Sequence, residues 1–489
     1  MKNNTRLIKR FRNWWVKTQY PIKEPIQFSK IDRIIILMIS ILIAIISSYQ
    51  IINLTPLDLN SISNWLITFT EILLCSAILI FISKKENPML NSRQILLILG
   101  LLLIAQWTKI NFLQISPLAI VVPSSLIISQ GMGTLSALSW VSIACINWPE
   151  STPGIDNNLL LITVVCSCVV SILGGRIRNR AQLLQISILV PLGAFISQLL
   201  LNGNKDFFIL KSKEIVLTKG DIFSDSLLLA ILMFITILLI PIFESTFGLL
   251  TKARLLELAD QEKPLLRRLS IEAPGTFEHT LLICGLAEEA TRMIQGDVDL
   301  IKTGALYHDV GKLHAPNWFI ENQNNGKNPH EELDDPIKSA EILQDHVDEG
   351  LKYARKHRLP NLISDFIPEH PGTLKMCYFL FKANEKKLNI SESQFRYKGP
   401  IPQSKETAIL MLADGCEAAL RAMNINASDD QAIKTISNII NSRVRDGQLN
   451  DSNLSRTEIF LIKQSFLNVW KRIRHRRIQY PKSTNNTFS

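Results

Sequence analysis

LLLAILMFITILLIPIFESTFGLLTKARLLELAD, residues 227–260, is where the chain changes character. Up to about residue 246 it is an unbroken apolar run, long enough to cross the roughly 30 Å hydrocarbon core of a bilayer as a helix. After Lys252 and Arg254 it becomes an amphipathic helical pattern rich in charge. The apolar content is an ordinary 47% overall, but nearly all the long apolar runs lie before this point. The 489 residues therefore divide into a membrane half and a soluble half.

Working back toward the N-terminus, eight apolar segments qualify as candidate spans: about 33–53, 65–83, 95–113, 117–130, 131–147, 158–174, 183–202 and 226–246. The fourth is weak, being short and interrupted by Pro117 and Pro123, which would suit a re-entrant piece buried among its neighbours. Basic loops stay on the cytoplasmic side. Lys2, Arg6, Lys9, Arg10, Arg12, Lys17 and Lys23, then Lys84, Lys85 and Arg93, then Arg176, Arg178 and Arg180, mark inside loops. Asp58, and then Glu150 with Asp156, mark outside ones. Eight passes fit every informative loop and place residues 1–32 and everything after about 248 in the cytoplasm. The first segment starts beyond residue 30 with no small-residue cleavage site after it, so it reads as a span and not as a cleaved signal. Glu71 and Lys109 fall near or inside apolar runs, where they line a cavity or snorkel to the interface. Trp14, Trp15 and Trp107 suit interface anchors.

Lysine and arginine outnumber aspartate and glutamate by 53 to 43. Most of that excess sits in the N-terminal segment, in the short loops and near the C-terminus. Membrane orientation accounts for the first two groups, and with no zinc-finger or RNP-type motif DNA binding is not expected. The seven cysteines contain no CxxC pair and nothing in their spacing reads as a disulfide framework or zinc knuckle, so free thiols are expected. Asn, Ile and Lys are frequent, as in an AT-rich bacterial or organellar genome; in a plastid the cytoplasmic side would be the stroma.

From Leu255 onward apolar residues recur at helical spacing in 276–294, 299–313, 336–358, 405–424, 430–445 and 455–474. No run alternates as a strand does. The expectation is an all-α chain: a multi-pass transmembrane bundle over 33–247, then an all-helical cytoplasmic domain over 248–489 with a basic tail containing Arg472, Arg474, Arg476 and Arg477. Asn322–Asn328 should form a loop.

Five motifs hold most of the possible metal ligands: His279 in GTFEHT, His308 and Asp309 in YHDVGKL, His346 in LQDHVDEG, His370 in IPEHPGT and Asp414 in MLADGCEAALR. Imidazole and carboxylate without thiolate suit iron, manganese, cobalt or zinc. Adjacent helical residues point about 100° apart, so a His-Asp doublet can reach one cation from two directions while the second carboxylate oxygen reaches another. Two cations sharing an aspartate sit roughly 3.5–4 Å apart, the arrangement for in-line attack of water on a phosphodiester. A lone helical histidine is ordinarily a surface or core residue. The ordered set of His, His-Asp, His, His and Asp is what points to a centre.

The motifs resemble the HDIG-type HD phosphohydrolases, and specifically the 7TM-HD membrane cyclic-di-AMP phosphodiesterases of the PgpH type. The strings carrying the likeness run from about Ile240 to Pro481: PIFESTFGLLT, LLELADQEKPLLRRLSIEAPGTFEHT, ALYHDVGK, FIENQNNGKNPHEEL, KGPIPQSKETAILMLADGCEAALR, RDGQLN and HRRIQYP. The resemblance implies two divalent cations, manganese or iron. His279, His308, Asp309 and Asp414 would hold the first, with Asp309 bridging, and His346 and His370 would serve the second. Asp309, His308 and Lys312 would carry the catalysis, Lys312 by contacting a substrate phosphate or else as a solvated helix-end residue. The family usually has two adjacent histidines where this chain has His370-Pro371. Proline cannot ligate, so water, substrate or Glu369 would have to fill the second site. His330 is expected to fix a loop, and His314, His357 and His475 to lie at the surface. Relatives often carry a large extracytoplasmic domain after the first span, for which residues 54–64 leave no room.

The implied activity is hydrolysis of a cyclic dinucleotide, cyclic di-AMP to linear pApA, by an integral-membrane enzyme. A nucleotide-binding membrane sensor without turnover, or an HD phosphohydrolase for a different nucleotide, are the other readings. The implied partners are the cyclic dinucleotide and the lipid bilayer, with a homodimer left open.

Overall fold

The computed structural model describes residues 30–54, 59–86, 90–111, 116–146, 157–202, 222–323, 328–387, 391–424 and 427–475. Two compact units divide the chain, Met1–Arg254 and Leu255–Ser489.

The first unit contains eight apolar helices among the described residues: α1 (Lys30–Leu54), α2 (Leu59–Glu86), α3 (Ser92–Asn111), α4 (Pro117–Met132), α5 (Thr134–Ile146), α6 (Asn157–Gly174), α7 (Arg180–Asn202) and α8 (Ile222–Phe247). Trp65–Lys85, Arg180–Leu201 and Ile222–Phe247 are long and apolar enough to cross a membrane. Their outward faces carry large apolar side chains: Leu74 is 63% exposed, Phe81 69% and Leu200 79%. Such a surface is unfavourable in water and suited to lipid.

The short, proline-interrupted helix α4 is the most enclosed. Val121, Val122, Ser125, Leu126 and Ile128 are all fully or almost fully buried, and the helix packs against α5, α6 and α8. A helix surrounded by other helices gains from small residues that allow close approach, whereas hydropathy alone penalises its serines and prolines. Its hydroxyls are satisfied locally, Ser125 donating to the Val122 carbonyl (2.7 Å) and Ser129 to that of Leu126 (3.0 Å). Gly133, at φ 113°, takes a backbone conformation that side chains disfavour and separates α4 from α5. Glu71 lies on the exposed face of α2. Trp107 is 48% exposed on α3, while Trp14, Trp15 and the Lys109 side chain lie outside the described residues.

The segment after α8 is tied down within this unit. The Gln94 amide donates to the Gly248 carbonyl (3.0 Å). Glu244 accepts from Thr251 (2.6 Å) and pairs with Arg180 (3.3 Å). Leu249 is buried, with its methyl groups over Gly131.

The second unit is helical, without a strand among the described residues. Following α9 (Lys252–Leu258) come α10 (Pro264–Glu272), α11 (Pro274–Met293) and α12 (Val298–Tyr307). Three 3₁₀ turns follow, Val310–His314, Pro316–Trp318 and Ile320–Asn322, and then α13 (Pro329–Leu333), α14 (Pro336–Lys356), α15 (Asn361–Ser364), α16 (Phe366–Glu369) and α17 (Cys377–Glu385). The last described elements are α18 (Lys405–Arg421), α19 (Asp429–Arg445) and α20 (Arg456–His475). Helix starts are written in the sequence: Asp297, Asp335, Ser404 and Ser428 each accept a hydrogen bond from a first-turn amide. α11 packs on α12, α18 and α20, burying Ile283, Ala287, Ile301, Ala305, Ile409 and Ala413 completely.

One expected helix is shorter than its periodicity suggests. The 299–313 pattern stops as α-helix at Tyr307, and the chain tightens into the Val310–His314 turn. Gly311 explains the change: a Cβ there would lie 1.7 Å from the His346 carbonyl oxygen. The backbone leaves the α-helix so that it can press against α14, and the His-Asp doublet stands at the helix end and not along its side.

Asp335 caps α14 with bonds to Ile337 N (3.0 Å) and Lys338 N (3.1 Å). Asp335→Ala should therefore lower the unfolding free energy of this unit by about 1 kcal/mol. Glu341→Ala, on the exposed face of the same helix, should change it by less than about 0.5 kcal/mol. Denaturant titration of the purified chain followed by circular dichroism checks this; equal effects would contradict the capping role.

Candidate metal centre

His279, His346 and Asp414 lie on α11, α14 and α18, Lys312 on the Val310–His314 turn, and His308, Asp309 and His370 directly after the ends of α12 and α16. The donor atoms of His279, His308 and Asp414 lie within 4.8 Å of one another, as do those of His308, Asp309 and His370. His346 Nε2 approaches Asp309 Oδ1 at 3.8 Å and His370 Nε2 approaches the same oxygen at 3.5 Å. The other oxygen of Asp309, Oδ2, faces His308 Nε2 at 3.3 Å and Lys312 Nζ at 2.8 Å. The carboxylate thus stands between two groups of imidazoles.

Local backbone sets each ring. His308, His346 and His370 donate through Nδ1 to the carbonyls of Ala305 (2.6 Å), Leu343 (2.5 Å) and Phe366 (3.1 Å), one turn back on their own helices. That bond fixes the tautomer and turns the Nε2 lone pair inward. His279 is held differently. Asp414 and Glu417 are three residues apart on α18 and so share a face; Glu417 accepts from His279 Nδ1 (2.5 Å) while Asp414 meets Nε2 (3.0 Å).

Buried polar atoms are ordinarily hydrogen-bonded. Here His308 Nε2, Asp309 Oδ1 and His346 Nε2 are all buried without a hydrogen-bond partner, and they converge. This is the condition expected where a cation supplies the missing interaction, and imidazole with carboxylate is the matching donor chemistry. Electrostatics agree at His346, His370 and Asp309, though not at His279. Burial, reinforced by His308, pushes His370 down to about 3, and burial lowers His346 as well, so both rings offer a lone pair at neutral pH. Burial favours the neutral acid at Asp309, but Lys312 and His308 outweigh it and hold the carboxyl well below its usual range. Burial alone would lower His279; its hydrogen bonds to Asp414 and Glu417 reverse this and raise it to about 9.

Two side chains here carried no signal in the sequence reading. Glu417, 5% exposed, orients His279; its only sequence cue is the D-x-x-E spacing from Asp414. Glu321 accepts from Lys312 Nζ (2.6 Å) and from Thr276 Oγ1 (3.0 Å). Lys312 is thus enclosed at 12% side-chain exposure, not solvated. Glu369, offered above as a substitute ligand, directs Oε2 to Gln403 N (2.9 Å) and Thr407 Oγ1 (2.7 Å). His330 Nε2 donates to the Trp318 carbonyl (2.9 Å), tying the α13 segment to the Pro316–Trp318 turn. His314 and His357 are half-buried, not surface residues; His314 bonds the Gly311 carbonyl. The His475 side chain lies outside the described residues.

Comparison with known proteins adds a family context. A family model described as a 7TM receptor with intracellular HD hydrolase matches residues 62–251, from inside α2 to just past α8, and an HD-domain model matches 276–419. A protein of Synechocystis sp. named as uncharacterised is 47% identical over 248 residues, 50% of this chain and 30% of that one. The cyclic-di-AMP phosphodiesterase PgpH of Bacillus subtilis is 40% identical over 246 residues, 50% of this chain and 34% of that one. A crystal structure of the Listeria monocytogenes PgpH HD domain in complex with cyclic-di-AMP shares 34% identity, covering 44% of this chain and 99% of that one, with a TM-score of 0.42. The match spans about a third of the length of the curated relatives.

Gly311→Ala should displace α14 and with it His346, because the new methyl group meets backbone atoms that cannot yield, His346 O at 1.7 Å and Gly350 N at 2.6 Å. A loss of about 1–3 kcal/mol or more is expected, read as a lowered unfolding midpoint. An unchanged midpoint would contradict the packing described.

Proposed function

Because the chain belongs to the family of membrane proteins that join a 7TM domain to an HD hydrolase domain, we propose that it is a membrane-bound, metal-dependent phosphodiesterase acting on a cyclic dinucleotide, cyclic di-AMP to linear pApA. The observation that carries this reading is the convergence of three buried imidazole nitrogens, two of them without a hydrogen-bond partner, on the two oxygens of Asp309. The relative named as a cyclic-di-AMP phosphodiesterase supports the substrate.

In this reading His279, His308, Asp309 and Asp414 hold one divalent cation, and His346 and His370 hold a second, with Asp309 shared. Manganese or iron suits these donors. Such ions, when bound, supply Lewis acidity for the phosphoryl oxygens and for the attacking water. The chain's own groups do the rest. Burial keeps His346 and His370 neutral, and their Nδ1 bonds aim them. Glu417 holds His279. Lys312 spends two of its three N–H donors on Asp309 and Glu321, leaving the third for a phosphate oxygen. Hydrolysis adds one water: its oxygen joins phosphorus, one P–O ester bond breaks, and the leaving sugar oxygen takes a proton. The loop charges support a cytoplasmic position for the N-terminus and the HD unit, which in a plastid is the stromal side.

A second reading, nucleotide binding without turnover, is favoured by one observation. Pro371 follows His370 as a buried residue with no donor to offer. Product formation separates the two.

The purified full chain in detergent, given manganese or iron, should convert cyclic di-AMP to a linear product resolved by chromatography, and Asp309→Ala should fall to background with its helical circular dichroism intact. Turnover retained in that variant contradicts the shared role of Asp309. Binding without product in the wild type supports the sensor. Manganese at a hundred times its dissociation constant should also stabilise the wild type by about 2.7 kcal/mol, a gain absent in Asp309→Ala; no stabilisation at any concentration would argue against a metal centre.

A further inference from the structure

Lys312 places a positive charge where the proposed function needs cations to bind. Its ammonium is 2.8 Å from Asp309 Oδ2 and 5.1 Å from the centre of the Phe319 ring. An enclosed cation beside Asp309 would take that carboxylate as its own counter-ion and weaken it as a metal ligand. The structure supplies another counter-ion. Glu321 Oε1 lies 2.6 Å from Lys312 Nζ, with the Glu321 side chain 7% exposed.

Glu321 is also placed with little freedom, unlike the long, flexible lysine it meets. It sits on the Ile320–Asn322 turn, whose backbone docks on the first turn of α11. A Cβ on Gly275 would lie 1.8 Å from the Glu321 carbonyl oxygen. Asn322 accepts from Thr276 N (3.0 Å) and donates to Thr276 Oγ1 (2.8 Å). Thr276 Oγ1 in turn donates to the Glu321 carboxylate (3.0 Å). Three residues further along α11 is His279. One knot of contacts therefore fixes Glu321 relative to both a ligand-bearing helix and the lysine of the HDVGK segment.

We infer that Glu321 is a positioning residue of the metal centre: it holds and neutralises the Lys312 ammonium, so that the charge of Asp309 remains available to cations. This rests on the metal-dependent reading above, but not on the identity of the substrate. It also gives a physical use to Thr276 of APGTFEHT and to the string FIENQ, which the catalytic account leaves idle.

The test is Mn²⁺ binding to the full chain in detergent, followed by electron paramagnetic resonance, for the wild type, Glu321→Gln, Lys312→Gln and the double variant. Glu321→Gln preserves shape and a hydrogen-bond acceptor but removes the charge, and should weaken Mn²⁺ binding by about tenfold, the low end of the loss seen when a supporting residue of a metal site is changed. Removing the lysine as well should restore affinity to within about threefold of wild type, because no uncompensated cation remains. A merely structural role for Glu321 would leave the double variant as weak as the single one or weaker, and that result overturns the inference, as does wild-type affinity in Glu321→Gln. Cyclic di-AMP turnover, followed in the same samples, keeps the two readings apart. Mn²⁺ affinities in the expected order with no hydrolysis support the inference while overturning the substrate. Hydrolysis with equal affinities in all four proteins overturns the inference alone. A wild-type chain that takes up no Mn²⁺ overturns both.

Discussion

A hydrogen bond from a ring Nδ1 to a carbonyl one turn back is the constraint on which the second unit depends. It occurs at His308, His346 and His370. It spends one nitrogen of each imidazole on the helix that carries it and commits the other to the interior. For three such nitrogens to meet one carboxylate, the ends of α12 and α16 must come close to the middle of α14. The glycines at the crossing permit this: a Cβ on Gly304 would lie 2.4 Å from the Phe366 ring, and one on Gly350 would lie 2.8 Å from Ile367. Leaving several buried polar atoms unpartnered costs on the order of 1–3 kcal/mol each. That cost is large against the marginal stability of a domain, so a cation is the natural complement.

Around this inner set lies a shell of groups that aim the ligands. Glu417 holds His279, and Glu321 holds Lys312. The loop after His370 is held from further away. The Gln448 amide accepts from Thr373 N (3.0 Å) and donates to Thr373 Oγ1 (2.8 Å). Arg396 bonds the Thr373 carbonyl (2.9 Å) and both oxygens of Asp446 (3.2 Å each). The RDGQLN and KGPIPQSKET strings thus have structural work: the first supplies Gln448 and Asp446, and the second supplies Gln403, Ser404 and Thr407 to seat Glu369 at the start of α18.

What the sequence made legible follows from the range of the forces involved. Helical periodicity is local, so α11, α14, α18, α19 and α20 could be placed within a few residues, and the family match adds the HD domain and the membrane domain to that all-helical frame. The six histidine and aspartate positions stood out because few other residues offer metal donors in that order. Partners across the fold left no such trace. Glu417 meets a histidine 138 residues away, and Thr276 meets Glu321 across 45. Neither pairing has a periodicity to read. The break at Tyr307 was missed for the same reason, since Gly311 looks tolerable in a helix until the His346 carbonyl stands beside it. In the first unit the shortness and the prolines of α4 made it read as a doubtful span, although both suit a helix enclosed by others.

Anomalous X-ray diffraction at the manganese edge, on crystals of the full chain grown with Mn²⁺, tests the central claim most directly. The account predicts two neighbouring peaks flanking the Asp309 carboxylate and within bonding distance of the Nε2 atoms of His308, His346 and His370. Metal bound through Nδ1, or a loaded protein with no peak at Asp309, would contradict it.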